Sequence, residues 1–379
     1  MIKKVWVKNY RSLEDVAVEL EPITIFVGEN GSGKSNMVDV LRFMREAFLL
    51  GLDAAMNKRG GMISVRTWSQ GDELRDVEMG VTIETDEIEA TYSFALGGTL
   101  PTQHQVQREI CEVHDLVSDT HYGYEVEQGE WKRNTPNTMY SGRAPKSLVL
   151  SLLTTDELYQ KVYDYLIGFS FYNISPDVLA HPQKIMDPYP LEEDGVNLSS
   201  TLHEMKQRNG PYLPTFYKTV KHVFPDVIDL QILKLGSFFV TQLHHQMNGS
   251  TPAIFDLAME SDGTRRLLGI LVALYQDEPR TLLCLEEPEF AIHPDLIASL
   301  WEEIEIYGDR CQILVTTHHP DLLEMCSADQ VRVVEKIEGK TFVAPIDRTQ
   351  RDLITQRLFS VGSLMRSQGL IRDEPEPIH

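Results

Sequence analysis

The residues Ile23-Thr24-Ile25-Phe26-Val27-Gly28-Glu29-Asn30-Gly31-Ser32-Gly33-Lys34-Ser35 decide the fold of this chain. Ile23 to Val27 has no polar face, which suits a central strand covered on both sides. Gly28 to Ser35 fits GxxxxGK[ST], and a helical pattern follows through Val38, Leu41, Phe43 and Phe48 to a stop at Gly51. A buried strand, a glycine-rich turn and a helix in that order predict a phosphate-binding loop. The glycines let successive backbone N–H groups point at the α- and β-phosphates of a nucleotide, and the new helix's dipole adds to that field. Lys34 would reach the β- and γ-phosphates, and the Ser35 hydroxyl would ligate Mg2+. ATP and Mg2+ are therefore the expected cofactors, with Gly28, Asn30, Gly31, Ser32, Gly33, Lys34, Ser35 and Asn36 as the nucleotide cradle.

On either side of the loop the pattern changes to period two. Val5 and Val7 alternate with polar residues, as do Val16, Val18 and Leu20, and both stretches read as half-buried strands. From about Asp76 to Arg133, VEMGVTIET, IEATYSFAL, HQVQREICEV and HYGYEVE alternate between turn residues and predict an antiparallel meander. The stretch from about 154 to 224 is helical, with Leu158, Val162, Tyr165 and Leu166 on one apolar face and Leu213, Phe216, Val220 and Val223 on another. Ile174-Ser-Pro176 and the loop from His181 to Gly195 interrupt it. From Pro279 onward strand and helix alternate, which argues for a parallel sheet with helices on both faces. The tail DEPEPIH reads as frayed.

The second acidic site lies far downstream. The apolar strand Thr281 to Leu285 ends in Glu286-Glu287-Pro288-Glu289, and open α/β sheets bind ligands just past the carboxyl ends of their strands. Glu286 would hold Mg2+ through its water shell, and Glu287 would orient or deprotonate the attacking water. A further apolar strand, Ile313 to Thr317, leads to His318-His319-Pro320, where His318 suits a γ-phosphate sensor and His319 a capping or surface role. His293, before Pro294, reads as part of a helix entry. No His, Cys or Asp spacing matches a zinc or di-metal cage.

The chain has 379 residues, with 42% hydrophobic and 24% charged, which is the composition of a folded globular protein. The net charge of −22 repels nucleic acid and anionic membranes at long range, so DNA contact would need a local basic patch. Lys58, Arg59, Arg66 and the Lys132-Arg133 pair are the candidates. The four cysteines show no CxxC spacing, and Cys284 and Cys311 read as small buried hydrophobes. The apolar stretch Leu267 to Tyr275 is far short of the roughly 20 residues that span a bilayer. A cytoplasmic protein without membrane contact is expected.

With these residues in place, the chain resembles the ABC-type ATPases of the SMC/RecF/OLD group, particularly the short defence-associated AAA-type members. The likeness covers the first ~95 residues and about 225–379. It rests on KNYRSLEDVAVEL before the loop, the paired glutamates followed by Pro-Glu, the THHP segment, and the ending at Gly362-Ser-Leu-Met and Gly369-Leu370. Met259-Glu-Ser261-Asp262-Gly263-Thr264-Arg265-Arg266 is similar to the group's signature motif, with Asp262 for the first glycine and Thr264 for the glutamine of the LSGGQ form. The resemblance implies that Ser261 and Gly263 cap the ATP of an opposite protomer in a head-to-tail homodimer. It also implies that Arg11 approaches the nucleotide and that Gln70 is the Q-loop residue that meets the metal.

The implied fold is a P-loop NTPase of ABC/SMC-head type, an α/β protein with a mixed, mainly parallel sheet, an antiparallel β subdomain and a helical insert. Its expected parts are residues 1–150 with the loop and meander, 151–225 as the insert, and 226–379 with the signature, acidic turn and switch histidine. The first and last parts would pack as one ATPase head. Neither long coiled-coil arms nor a fused nuclease is expected, so a nuclease or toxin effector would be a separate partner. Two other readings stay open, a RecF-like repair ATPase acting on DNA directly and a nucleotide-gated scaffold with negligible turnover.

Overall fold

The computed structural model describes residues 1–67, 75–98, 104–135, 147–246, 252–277 and 280–373. Gln70 and most of the expected frayed tail lie outside the described residues. In chain order the first elements are β1 (Ile2–Tyr10), β2 (Leu13–Glu19), β3 (Ile23–Val27), α1 (Lys34–Leu49), α2 (Leu52–Asn57) and α3 (Met62–Val65). Next come β4 (Val77–Glu84), β5 (Ile88–Gly97), β6 (Gln105–Asp115), β7 (Thr120–Glu127), β8 (Glu130–Thr135), α4 (Glu157–Ile167) and β9 (Phe169–Tyr172). The chain continues with α5 (Pro176–Leu179), β10 (Gln183–Lys184), α6 (Leu198–Arg208), α7 (Leu213–Val223), β11 (Val227–Leu235), β12 (Phe238–His245) and β13 (Ala253–Asp256). Then follow α8 (Asp262–Tyr275), β14 (Leu282–Glu286), α9 (Pro294–Gly308), β15 (Gln312–Thr317) and α10 (Pro320–Leu323). The last elements are β16 (Val331–Ile337), β17 (Lys340–Pro345), α11 (Arg348–Thr355) and α12 (Val361–Gln368).

These elements form two compact units, one of residues 1–169, 327–359 and 369–379, the other of residues 170–326 and 360–368. In the first unit, β3 is buried along its whole length and pairs in parallel with β16, which pairs antiparallel with β17. The unit's other sheet runs β2-β1-β4-β5-β6-β7-β8, antiparallel throughout. The predicted meander is present, and it extends across β1 and β2. Alternation explains this: Val5, Val7, Val16 and Val18 point to the same covered side as Val77, Met79 and Val81. In the second unit β14 and β15 pair in parallel, and α8 is buried along nearly its whole length. That unit also carries a small antiparallel sheet of β10, β12, β11 and β13. All four cysteines are free and buried, as small hydrophobes would be.

Of the basic residues considered for DNA contact, Arg59 is buried, bridging Asp39 at 2.7 Å and Glu46 at 2.5 Å. Lys58 pairs with Glu46, Lys132 with Glu130, and Arg133 with Glu112. Four of the five candidates for a basic patch are thus paired with the chain's own acids, while Arg66 donates to the Gly98 carbonyl at 3.1 Å.

Candidate nucleotide and acidic sites

The turn from Gly28 to Gly33 leaves β3 and enters α1 by a backbone only glycine tolerates. Gly31 has φ 81° and Gly33 φ 114°, and a Cβ on Gly33 would lie 2.2 Å from Thr341 Oγ1. A Cβ on Gly28 would lie 2.1 Å from the Val334 carbonyl, so β16 and β17 press the loop from behind. α1 is sixteen residues long, takes Gly33 as its N-cap without a side-chain cap, and has no acidic residue in its first turn. Its first N–H groups and positive dipole end are therefore offered to an outside anion. The Lys34 ammonium arches back over the turn, donating to the Gly28 carbonyl at 2.6 Å and the Glu29 carbonyl at 3.0 Å. Ser32 Oγ is buried without a hydrogen-bond partner, while Asn30, Gly31 and Ser35 are exposed. An orphaned buried hydroxyl in a glycine cradle beside an exposed Ser35 fits a phosphate group with a divalent cation.

The opening segment braces this cradle. Arg11 and Asn9 take φ of 50° and 56° at the β1–β2 corner. Arg11 donates to Asn36 Oδ1 at 3.3 Å and pairs with Asp39 at 3.0 Å; Asn36 donates to Ser12 Oγ at 2.8 Å. Ser12 Oγ meets Thr341 Oγ1 at 2.7 Å, and Thr341 Oγ1 donates to the Ser32 carbonyl at 2.8 Å. Asn36, expected at the nucleotide, thus has its amide committed to the corner, and Arg11 sits over the first turns of α1. Asp39 is buried with its carboxyl held below the usual range, because bonds from Arg59, Tyr10 and Arg11 outweigh the desolvation that would raise it. Thr341 was not legible: it follows the switch strand by sequence and reaches the loop only through the β16–β17 pairing.

In the second unit, Glu286 closes β14 and Glu287 follows with φ 44°. The Glu287 N–H donates to the Thr316 carbonyl at 2.9 Å, fixing the turn to β15. Its carboxylate meets His318 Nδ1 at 3.2 Å, so the expected base and the expected sensor are neighbours. His319 and His293 accept from the N–H groups of Asp321 and Asp295, capping α10 and α9 in line with the capping and helix-entry readings. Glu289 is buried, accepts from Thr317 Oγ1 at 2.5 Å, and burial raises its pKa.

Ser261 is the N-cap of α8, accepting from the Thr264 N–H at 3.1 Å. Asp262 in the first turn pairs with Arg265. A Cβ on Gly263 would lie 2.6 Å from the Ala291 carbonyl, so this glycine lets α8 lie against the segment after the acidic turn. One turn further, buried Arg266 donates to the carbonyls of Glu286 at 3.0 Å and Glu287 at 2.8 Å, and to that of Ile174. Burial pulls its pKa down while Glu289 and Glu287 pull the other way. Arg266 therefore clamps the acidic turn from the signature helix. Its place beside Ser261 and Gly263 was visible in the sequence, but the acceptors were not, being backbone carbonyls 20, 21 and 92 residues away.

A family model described as "AAA domain, putative AbiEii toxin, Type IV TA system" matches residues 23–324. The Old nuclease of Escherichia phage P2 is 21% identical over 408 aligned residues, which cover 98% of this chain. The chain spans 66% of the length of that relative. Among solved structures it is similar to an SMC head bound to the C-winged helix domain of ScpA, with TM-score 0.56 and 13% identity over 92% of this chain and 98% of that one. It is also similar to an Smc head domain with an extended coiled coil bound to the C-terminal domain of ScpA, from Pyrococcus furiosus. There the TM-score is 0.56 with 12% identity over 94% of this chain and 99% of that one. These likenesses show the fold, that of a P-loop SMC head.

Proposed function

The chain belongs to the AAA-domain family matched by its residues 23–324, and from that premise we propose that it is an Mg2+-dependent ATP hydrolase working as a homodimer around two nucleotides. The observation that carries this reading is the start of α1. An uncapped sixteen-residue helix, a cradle of obligatory glycines, an arched Lys34 and an orphaned buried Ser32 hydroxyl converge there. With nucleotide bound, Lys34 would leave the Gly28 and Glu29 carbonyls for the β- and γ-phosphates, and Ser35 and Glu286 would hold Mg2+, whose charge would neutralise the phosphates. Glu287 orients and deprotonates the attacking water, and His318 supports that carboxylate and senses the γ-phosphate.

Ser261 and Gly263 serve the nucleotide bound by the second copy, through the N-terminus of α8. The effector under control is a nuclease or toxin on a partner protein in a defence setting; the family description and the name of the phage relative support that class of effector, not its place on a separate chain. No helix of the described residues is long and apolar enough to cross a membrane. The four buried free thiols favour a cytoplasmic location.

Direct DNA binding is the weaker alternative, because the net charge is −22 and four of the five basic candidates are paired with the chain's own acids. The test is steady-state ATP hydrolysis by the purified chain with and without Mg2+. Lys34→Ala should lower the Mg2+-dependent rate by about a hundredfold or more. Hydrolysis by Lys34→Ala at the wild-type rate would remove the loop from the chemistry.

A further inference from the structure

The spacing of His114, Asp119 and His121 suggests no metal site, since no familiar ligand pattern places them together. The register of the meander does. His114 on β6 lies directly opposite His121 on β7, and Glu89 on β5 lies directly opposite His114. Three strands thus line up Glu89, His114 and His121 in one row. In an antiparallel sheet such opposite residues share a face, with Cβ atoms about 4.5–5.5 Å apart. The two imidazoles stack with centroids 4.1 Å apart and planes within 14°.

Asp119 joins them from the β6–β7 turn. Its φ of 54° is a left-handed turn conformation, and the turn is tied down by Asp115, which accepts from the Val117 N–H at 3.0 Å and from Ser118 Oγ at 2.6 Å. The Asp119 carboxylate meets His114 Nε2 at 2.8 Å. One ligand atom from each of His114, Asp119 and His121 falls within a sphere where all lie within 4.8 Å of one another. Metal–ligand bonds of about 2.0–2.2 Å require the two rings to leave their stack and turn one nitrogen each toward a common ion. Glu89 Oε2, 3.9 Å from His114 Nδ1, adds negative charge on one side. In the next row Arg133 is taken up by Glu112, so it does not neutralise that charge.

We propose that His114, Asp119 and His121 form a binding site for a late first-row divalent cation, best matched by Zn2+, with the fourth position open to water or an incoming ligand. Two imidazoles and one carboxylate select a borderline cation over Mg2+, which prefers oxygen ligands and retains its waters. Binding joins β6 and β7 at their exposed end and leaves an open position on the surface of the meander. It uses no residue of the nucleotide or acidic sites, and it stands whether or not ATP hydrolysis is observed.

Untagged full-length chain is incubated with Zn2+, desalted, and assayed for bound metal and for its thermal midpoint with equimolar Zn2+ or Mg2+. The wild type should retain about one equivalent of zinc more than the His114→Gln/His121→Gln double variant. Its midpoint should rise with Zn2+, as a ligand specific to the folded state requires, and stay put with Mg2+. Both histidines lie on the solvent side of the sheet, so the double variant should keep the metal-free midpoint. Asp119→Asn, which keeps both imidazoles, should weaken zinc binding by about tenfold or more. Equal zinc retention and an equal midpoint rise in the wild type and the double variant would overturn the site. So would a wild type that retains no zinc.

Discussion

Glu287 holds a left-handed backbone at φ 44°, a conformation that costs a non-glycine residue about 1–3 kcal/mol. Its N–H on the Thr316 carbonyl, Arg266 and the Phe290 N–H on its carbonyl, and His318 on its carboxylate hold it. The turn thereby presents the carboxylate past the end of β14 rather than into the core. Glu287→Gln keeps size and shape but removes the base, so ATP should still bind while turnover drops by about 10²–10⁴-fold. Equilibrium nucleotide binding alongside single-turnover hydrolysis checks this, and normal turnover would remove Glu287 from the role of base. Arg266→Gln should act differently. It leaves the buried Ile174 carbonyl and the part-buried Glu286 carbonyl without the guanidinium, and removes one of two donors to the Glu287 carbonyl. That costs about 2 kcal/mol in a urea unfolding experiment and lowers turnover as well. Unchanged stability would mean that the clamp contributes nothing.

Among the elements, α8 shows how the signature segment is held. Glu260, just before its N-cap, meets His245 Nε2 at 2.8 Å, and the Nδ1 of that imidazole meets Asp226 at 2.7 Å. Burial lowers the His245 pKa, but the two carboxylates outweigh it and the net shift is upward from 6.5. The sign follows from that direction. The imidazolium's contribution to stability is complete below pH 6.5 and fades as pH rises through the higher folded value. The stability gap between wild type and His245→Gln should therefore be larger at about pH 6 than at about pH 8.5. A gap that does not shrink across this range would remove the charged bridge.

Element types were the most legible part of this fold. The buried run Ile23–Val27, the loop and α1 declare themselves by local chemistry, and the meander by its alternation. The hairpin of β11 and β12 was passed over, because Leu230, Ile232, Leu233 and Leu235 break the alternation that marks a half-buried strand. Pairings between distant strands were not legible either, since β3 with β16 depends on residues about 300 apart in the chain. For the same reason the acidic turn could be read from the sequence while the Arg266 clamp and the Thr341 brace could not.

In the proposed dimer the active sites are shared between two copies of the chain, Lys34 acting for the copy that binds the nucleotide and Ser261 at the tip of α8 for its neighbour. A Gly263 variant is a poor probe, because any side chain there meets the Ala291 carbonyl. Ser261 is exposed, so Ser261→Arg tests the same end of α8 at the cost of one helix cap, about 1 kcal/mol. The most direct measurement is ATP hydrolysis by Lys34→Ala, by Ser261→Arg, and by an equimolar mixture in which subunit exchange is followed with two affinity tags. Each variant should be inactive alone. In the mixture about half the dimers are mixed, each with one intact site, so about a quarter of wild-type activity should return if the sites fire independently. Ser261→Arg hydrolysing ATP at the wild-type rate by itself would contradict the shared site and leave an ATPase complete within one chain.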